Sequence, residues 1–158
     1  MLVGRPESDA QQLGRNGYVA LPIEGGAATS VARPPANVVD VRWVPDGRSV
    51  SYIDRSDPAS NVFRSSFDGG APIPVTHITD GHVVRHAWSP DGRRLGVLVR
   101  AGERVDLWVT DAEGRKPVRV TEISPEIITS FSWMADCRRM VVEASTRPSD
   151  VVLIRDFR

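Results

Sequence analysis

The chain has 158 residues, of which 41% are hydrophobic and 25% are charged, and its formal net charge at neutral pH is zero. This composition is ordinary for a globular domain with one core. The balanced charge excludes the basic excess that attracts proteins to nucleic acid or anionic lipid, so we expect no nucleic-acid partner. A single cysteine, Cys137, excludes an internal disulfide.

The amino-terminal segment carries no recognisable targeting signal. Residues 1–14 lack the apolar core of a signal peptide, and no stretch of the chain approaches the ~20 apolar residues of a membrane span. We therefore expect residues 1–16 to be disordered or poorly ordered, no membrane insertion by this chain, and a fold that occupies residues 17–158. The sequence by itself leaves the cellular compartment open.

Three tryptophans recur at a fixed interval along the chain. Trp43, Trp88 and Trp133 are 45 residues apart, and the segments 43–48, 88–93 and 133–138 align without a gap. A period of about 40 to 45 residues with four strands per unit is typical of β-propeller blades. The repeat predicts a blade remnant at 17–37, a blade at 38–82, a blade at 83–127 and an incomplete blade at 128–158.

Each complete repeat is predicted to contain four strands, A to D, of which strand A ends at the tryptophan. Because side chains alternate along a strand, the tryptophan marks the inner face of strand A. The residues predicted to share that face are Val39, Val41 and Trp43, then Val84, His86 and Trp88, then Thr129, Phe131 and Trp133. The thirteen predicted strands are 18–23, 29–32, 38–43, 49–54, 61–66, 74–77, 83–88, 95–100, 106–110, 118–122, 128–133, 140–144 and 151–155.

The turn between strands A and B has the residues that a tight hairpin requires. An aspartate suits the third turn position, and the glycine after it can adopt positive φ. In the last copy Cys137 replaces this glycine, which costs about 1 kcal/mol or forces a different turn. The structural residues of the repeat are therefore predicted to be Trp43, Asp46, Gly47, Trp88, Asp91, Gly92, Trp133 and Asp136.

The repeat unit resembles that of a known family. The block from Trp88 to Arg93, the apolar strand after it, the Asp-Gly-Gly turn at 68–70 and the Val-Thr strand at 75–76 resemble the WD-repeat-like unit of TolB-type propellers. The resemblance covers residues 17–158 and implies an all-β fold, a partial propeller of about three four-stranded antiparallel blades. Because TolB-type rings resemble six-bladed propellers and thirteen strands cannot close a ring, we expect half of such a ring.

The resemblance is specific for fold and unspecific for function. It implies a non-catalytic module that binds a protein or a ligand, as a carboxyl-terminal fragment of a larger TolB-like protein. The carboxyl end is also similar to propellers fused behind bacterial serine/threonine kinases or winged-helix regulators. The alternative is therefore a sensor or gating domain of an enzyme, either such a kinase or a prolyl-oligopeptidase-type peptidase, whose catalytic part lies outside this chain. A remnant without an independent role is a third reading.

The partial ring has consequences for partners and location. We expect a protein partner, and also a possible homodimer, because open blade edges favour pairing with another copy. If the parent resembles a membrane-spanning kinase or a TolB protein, the propeller would lie outside the cytoplasm.

Three histidines are close together in sequence, and three histidines can form a zinc site. His77 is predicted at the end of a strand, His82 in a loop, and His86 at a strand position that Val41 and Phe131 occupy in the other copies. These positions favour core and loop roles over metal binding.

One loop carries oxygen-bearing side chains of the kind that bind calcium. Asp54, Asp57 and Asn61 are of the type that calcium prefers, but the loop lacks the glycine and glutamate of a dedicated calcium loop. Turn and cap roles are favoured, so we expect neither a metal nor a cofactor.

The reactive and basic residues give weaker signals. Cys137 has no Gly-x-Ser-x-Gly elbow and no evident base nearby in sequence, so we expect no catalysis. The glycine pairs at 25–26 and 69–70 are predicted turns rather than phosphate loops. The arginine pairs 93–94 and 138–139 recur at one blade position, which predicts either a patch for an anion or an acidic protein, or a solvated surface. Trp108 is expected to pack between blades.

Overall fold

The computed structural model describes residues 18–31, 35, 37–68, 70–121 and 127–145 as antiparallel strands and connecting turns, with no helix among them. The all-β prediction is confirmed. The expected disorder of residues 1–16 and the predicted strand 151–155 lie outside the described residues, as does Gly69 of the second glycine pair. The described part of the chain contains no helix long and apolar enough to cross a membrane.

Twelve strands are described, and most lie within two residues of their predicted bounds. The outermost strand of each repeat is shorter than predicted. The strands are β1 Tyr18–Ala20, β2 Thr29–Val31, β3 Val38–Trp43, β4 Ser49–Asp54, β5 Val62–Ser66, β6 Ile73–Pro74, β7 His82–Trp88, β8 Arg94–Ala101, β9 Arg104–Asp111, β10 Val118–Arg119, β11 Ile127–Trp133 and β12 Met140–Ser145.

The strands form four sheets in which sequential neighbours pair. The first blade is β3-β4-β5-β6 and the second blade is β7-β8-β9-β10, both four-stranded antiparallel meanders. The amino-terminal hairpin pairs β1 with β2, and the terminal hairpin pairs β11 with β12. Four-stranded meanders repeated along the chain are the units of a propeller, so the predicted partial propeller is confirmed.

The three A to B turns have the same geometry. Gly47, Gly92 and Cys137 have φ of 67°, 68° and 56°. Each donates its backbone N–H to the carbonyl three residues earlier, at 3.1, 2.8 and 3.0 Å. Cys137 therefore adopts the left-handed conformation that favours glycine, and the alternative of a different turn is wrong.

A β-bulge in every strand A corrects the predicted faces. The register shifts between Val83 and Arg85 in β7, so that Val83 instead of Val84 shares a face with His86 and Trp88. The same shift in β11 places Ile128 on the tryptophan face and leaves Thr129 exposed. An extra residue in a bulge reverses the alternation on one side of it, which a strict period of two does not anticipate.

Two apolar clusters hold the sheets together. The first seam joins the first and second blades through Ile53, Val62, Trp88 and their neighbours, and Trp108 packs against it as expected. The second seam joins the second blade to the terminal hairpin, with Leu98, Leu107 and Phe131 in corresponding roles. Each fully buried aliphatic side chain contributes about 1.5–3 kcal/mol, so the seams are the principal source of stability.

The face of the first blade that precedes the first seam is open. Trp43 is 54% exposed, whereas Trp88, at the equivalent position of the next blade, is 9% exposed. The amino-terminal hairpin contributes Val19 and Leu21 to a cleft of about 390 Å³ beside Trp43 but does not cover the ring. Trp88 and Trp133 therefore pack at the two seams, whereas Trp43 lies on the open face of the first blade among the described residues.

Candidate functional site

A buried polar network crosses the first seam. Ser51 Oγ on β4 lies 2.8 Å from Nε2 of His86 on β7, and Nε1 of Trp88 donates a hydrogen bond to the same oxygen at 2.8 Å. The backbone N–H of His86 donates to Oδ2 of Asp40 at 2.8 Å. Two strands of the first blade are thereby tied to the inner strand of the second.

Asp40 is held in an unusual conformation and a strongly charged setting. Its φ of 51° lies in the left-handed region, within the bulge of β3, and Arg42 pairs with its Oδ1 at 2.8 Å. Burial favours a higher pKa for the Asp40 carboxyl. The contacts of the His86 side chain and of its backbone N–H, together with the charge of Arg42, outweigh burial and lower that pKa to about 2. Asp40 is therefore ionised near neutral pH.

The ionised carboxylate fixes the proton on the imidazole. Nδ1 of His86 lies 3.2 Å from Oδ2 of Asp40, a distance that suits charge attraction although the contact does not meet hydrogen-bond geometry. An unprotonated Nδ1 would point its lone pair at a negative oxygen, so Nδ1 carries the proton. In the neutral ring Nε2 then accepts a hydrogen bond from the hydroxyl of Ser51.

Asp40, His86 and Ser51 are arranged like the acid, the base and the nucleophile of a catalytic triad, but solvent does not reach the serine or the histidine. Ser51 and His86 are each 0% exposed, and Trp88 already uses an acceptor position of the serine oxygen. A nucleophile needs space for the reacting carbon beside it. The arrangement is suited to binding one blade to the next.

Sequence reasoning singled out His86 as a core residue and missed its partners Asp40 and Ser51. A usable signal was present, because His86 replaces the apolar Val41 and Phe131 of the other copies. A buried polar residue needs a partner, and the partner must come from the adjoining sheet.

At the second seam the equivalent positions do not carry a polar pair of side chains. Gly96 stands at the position of Ser51, and Phe131 stands at the position of His86. A Cβ atom added to Gly96 would lie 2.6 Å from Cε2 of Phe131, so only glycine fits beneath this ring. Nε1 of Trp133 donates to the carbonyl of Ala87 at 3.0 Å instead.

The side chains that the sequence suggests as metal ligands do not converge on one site among the described residues. His77 and His82 are exposed and His86 is buried, and His82 begins β7 instead of lying in a loop. Asp57 accepts a hydrogen bond from the N–H of Ala59 at 2.7 Å. In the part of the chain that the structure describes, no three His, Cys, Asp or Glu residues converge as metal ligands do.

Asn61 anchors the outermost strand of the first blade. Its Oδ1 accepts hydrogen bonds from Thr76 Oγ1 and from the N–H of Ile78, both at 2.8 Å. Thr76 Oγ1 in turn accepts from the N–H of Val62 at 2.9 Å. The residue therefore satisfies backbone groups beyond β6, in agreement with the cap role that the sequence favours.

Four cations surround a groove at the second seam. We call it the basic groove, and its volume is about 440 Å³. Its cations come from the A to B turns of the second blade and the terminal hairpin and from the loop before β10. Its apolar lining comes from β9 to β12. The cations are Arg93, Arg94, Lys116 and Arg138, and the apolar lining includes Val109, Val118, Val120, Trp133 and Met140.

The carboxylates near the basic groove are already engaged. Asp111 lines it, but Oδ1 of Asp111 accepts from the N–H of Arg115 at 2.7 Å, and Oδ2 lies 3.3 Å from Nε of that residue. Asp136 pairs with Arg139 at 2.8 Å, which turns Arg139 toward its own hairpin. Three of the four paired arginines thus line one groove, and the fourth does not.

A second groove of about 440 Å³, at the outer side of the first seam, has balanced charge. Asp106 lies 2.9 Å from Arg104 and 3.8 Å from Arg119, and all three residues line this groove beside Trp108. Its cations are therefore less available to an incoming anion than those of the basic groove.

Cys137 is half-buried in its turn, and its Sγ lies 3.7 Å from the carbonyl oxygen of Ala135. This is a weak hydrogen bond to a neutral acceptor.

Comparison with known proteins identifies the architecture. No protein-family model and no curated protein matches the sequence. Among solved structures, a protein of Agrobacterium tumefaciens named as a TolB is 22% identical, with a TM-score of 0.64 over 80% of this chain and 45% of that one. TolB from Acinetobacter baumannii is 15% identical, with a TM-score of 0.55 over 71% of this chain and 28% of that one.

A peptidase also contains a similar substructure. The acylaminoacyl peptidase of Pyrococcus horikoshii is 20% identical, with a TM-score of 0.52 over 76% of this chain and 19% of that one. The chain thus spans less than half the length of each of these three proteins. At these identities the comparisons establish the fold, and the chain has the architecture of a partial TolB-like β-propeller.

Proposed function

We propose that this chain is a non-catalytic β-propeller module that binds a protein partner, and that it forms part of a larger TolB-like ring. The observation that carries the proposal is the contrast between sealed polar groups and open seam surfaces. Ser51 and His86 have no access to solvent. The basic groove is open, and so is the cleft that Trp43 forms with Val19 and Leu21, which we call the Trp43 face. Open surfaces beside rigid sheets are where propellers present binding residues.

The Trp43 face supports the view that further blades belong to the ring. At the first seam the equivalent tryptophan is covered by Ile53 and Val62 of the preceding blade. A large apolar side chain left half exposed beside Leu21, which is 69% exposed, is unusual for a finished surface. A preceding blade, in the same chain or in another, would bury it.

The absence of catalysis is supported by the state of the two candidate nucleophiles. Ser51 is buried, and the Sγ of Cys137 contacts the carbonyl oxygen of Ala135 within its turn. Incubation with a fluorophosphonate probe should leave Ser51 unlabelled in the folded chain. Stoichiometric labelling of Ser51, or turnover of ester or peptide substrates, would contradict the non-catalytic assignment.

Partner binding is tested by photo-crosslinking. A benzophenone amino acid placed at Val118 in the basic groove, and separately at exposed Ile73 on the equivalent strand of the first blade, should capture the same partner with different yields. The captured protein is then purified and titrated against the unmodified chain. Saturable binding supports a recognition module, and its absence for every captured protein counts against one.

A second candidate is the gating or sensor domain of an enzyme. It is favoured by the similarity to part of the acylaminoacyl peptidase of Pyrococcus horikoshii. The sequence that adjoins this reading frame distinguishes the two. A hydrolase domain whose activity changes when the propeller is supplied would establish the gating function, and a kinase domain would establish the sensor function.

A homodimer through open blade edges is a further part of the proposal. Within the described part of the chain, the edge of β12 that faces away from β11 has no partner strand. The apolar Trp43 face lies at the opposite end of the strand order. Pairing of two copies would cover both features.

A further inference from the structure

The basic groove has a composition that selects a particular kind of ligand. We propose that it binds an acidic peptide segment of a partner protein, with a large apolar side chain against its lining and carboxylates against its cations. This inference rests on the proposed function that the chain binds a protein. It adds the chemistry of the bound segment and the site.

The first step is the charge balance of the groove. No described carboxylate lies within the 4.0 Å of an ion pair from the side chains of Arg93, Arg94, Lys116 or Arg138. Among the described residues Asp111 is the one acidic residue that lines the groove, and it is engaged by Arg115. Four cations that form no ion pair with a described carboxylate favour an anionic ligand in a molecule whose net charge is zero.

The second step is that the basic character is particular to this seam. At the first seam the positions of Arg94 and Lys116 are occupied by Ser49 and Ala71. The repeat therefore does not require a cation at either place. Arg94 and Lys116 both line the basic groove, so the two positions that differ in charge between the blades contribute to the same site.

The third step is the backbone of Lys116. Its φ of 54° lies in the left-handed region, which a lysine adopts at some cost. The loop before it is fixed, because the carbonyl of Arg115 accepts hydrogen bonds from Thr110 Oγ1 at 2.6 Å and from the N–H of Asp111 at 3.1 Å. The loop thus holds the Lys116 backbone at the rim of the groove.

The fourth step is the apolar lining. Val118 and Val120 are 61% and 50% exposed, and Trp133 and Met140 are half-buried beside them. An apolar side chain that covers these residues would gain roughly 25 cal/mol for each Å² removed from water. Cations around an apolar floor match a hydrophobic residue flanked by aspartates or glutamates, and the volume lies in the range of about 300–1,000 Å³ for ligand sites.

A peptide fits the surroundings better than a nucleic acid. Binding to a phosphate backbone requires cations spread over many residues, and its affinity comes from the release of several counterions. Here Asp91 and Asp136 stand in the two A to B turns that carry Arg93 and Arg138, and would repel a long polyanion. A short acidic segment of a protein meets the cations without extending over these carboxylates.

The experiment measures fluorescence anisotropy of a labelled probe peptide, Glu-Asp-Phe-Glu-Asp, titrated with the whole chain. We expect saturable binding that weakens when phenylalanine is replaced by serine, and no binding of Lys-Arg-Phe-Lys-Arg. Arg94→Glu and Lys116→Glu should each weaken binding about tenfold, because each replaces an attraction by a repulsion. Single-stranded oligonucleotide of equal charge should compete poorly.

Arg48→Glu is the matched control. Arg48 is exposed in the A to B turn of the first blade, at the position that Arg93 holds in the second, and its reversal changes the net charge by the same amount. An equal loss of affinity in Arg48→Glu would show general electrostatic attraction and overturn the site, as would tighter binding of the oligonucleotide than of the peptide. Melting curves of all three variants establish that each is folded.

The outcome also separates this inference from the function on which it rests. If a photo-captured partner binds Arg94→Glu and Lys116→Glu as tightly as the unmodified chain, the groove is not the site but the module still binds a protein. If neither a partner nor the acidic peptide binds, both proposals fail.

Discussion

Cys137 holds a backbone conformation that glycine holds in both preceding copies of the turn. Its φ is 56°, and a side chain in that region costs roughly 1 kcal/mol. We expect Cys137→Gly to raise the free energy of unfolding by up to about 1 kcal/mol, because relief of strain exceeds the entropy that glycine gains in the unfolded chain. Thermal and urea unfolding measure the change.

Gly92→Ala is the opposite change at the equivalent position of the second blade. Its φ is 68°, and the added Cβ would lie 3.3 Å from Cβ of Pro45. This variant should lose about 1 kcal/mol or more, since strain and contact act together. A Cys137→Gly protein that melts at or below the temperature of the parent would contradict the interpretation of strain.

Asp40 gives the stability a defined acid dependence. Its folded pKa of about 2 lies below the ordinary 3.8, so its contribution is complete above the ordinary value and is lost as the pH falls toward 2. Asparagine also tolerates positive φ, so Asp40→Asn removes the charge without a new backbone strain. Above about pH 5 the free energy of unfolding of the parent should exceed that of the variant by on the order of 2 kcal/mol. This difference should shrink between about pH 4 and pH 2.

The measurement compares urea unfolding of the two proteins at pH 2, 3, 4 and 6. Other carboxyls in the turns, Asp91, Asp111 and Asp136, also have lowered pKa values. Their contribution is common to both proteins and cancels in the difference. A difference that stays constant from pH 6 to pH 2 would show that Asp40 is not the titrating group.

At this scale the sequence predicted the turn residues better than the buried ones. Positive φ at Gly47 and Gly92 follows from local chemistry, because a residue with a side chain is strained at that position of a tight hairpin. The partnership of Asp40 with His86 joins residues of different blades across a bulge. No local rule brings those two residues together, since bulge and seam are both consequences of tertiary packing.

Whole strands are joined across the two seams by alternative pairs at equivalent positions. Ser51 and His86 are joined by a hydrogen bond at the first seam, whereas Gly96 leaves room for the ring of Phe131 at the second. We expect Gly96→Ser alone to cost about 1–3 kcal/mol through overcrowding. Phe131→His alone should cost about 2–4 kcal/mol, through lost packing and an unpaired imidazole.

The double variant Gly96→Ser/Phe131→His should cost less than the sum of the two single changes by about 1 kcal/mol or more, because it recreates the polar pair of the first seam. Urea unfolding of the four proteins gives the coupling. Ser51→Ala combined with Phe131→His joins residues of different seams and serves as the additive control. Strict additivity in both combinations would mean that the seams do not accept the exchange.

The 45-residue period predicts where the strands lie, but it does not predict which side chains share a face of each strand. Most bounds follow because the same residues recur every 45 positions with turn residues between them. The faces failed before each bulge, where Ile128 replaced Thr129 in the core. The outermost strands are short because they lack a partner on one side, and an edge strand with Pro74 loses pairing early.

The molecule as a whole has two unlike ends in the order of its sheets. The Trp43 face is apolar, while the terminal hairpin presents Glu143 where the equivalent residues are Ile53 and Leu98. Those two side chains are 0% and 1% exposed at their seams, and Glu143 is exposed. Glu143 thus places a charged group at a position that is apolar and buried in both described seams.

This asymmetry predicts how two copies associate. If the Trp43 face of one copy packs on the terminal hairpin of another, Glu143 must enter a low-polarity seam without a partner, so the dimer of the unmodified chain should be weak. Glu143→Leu restores the aliphatic residue of the other seams and should tighten association at least about tenfold, the equivalent of about 1.4 kcal/mol. Sedimentation equilibrium over a concentration series gives the association constants.

Two further variants serve as controls. Glu143→Gln keeps the polarity and should behave like the parent. The further change Trp43→Ser should reverse the gain, because it removes the surface that the leucine would meet. A Glu143→Leu chain that remains monomeric at every concentration, or one that associates equally well with Trp43→Ser, would show that the two ends do not form a propeller seam with each other.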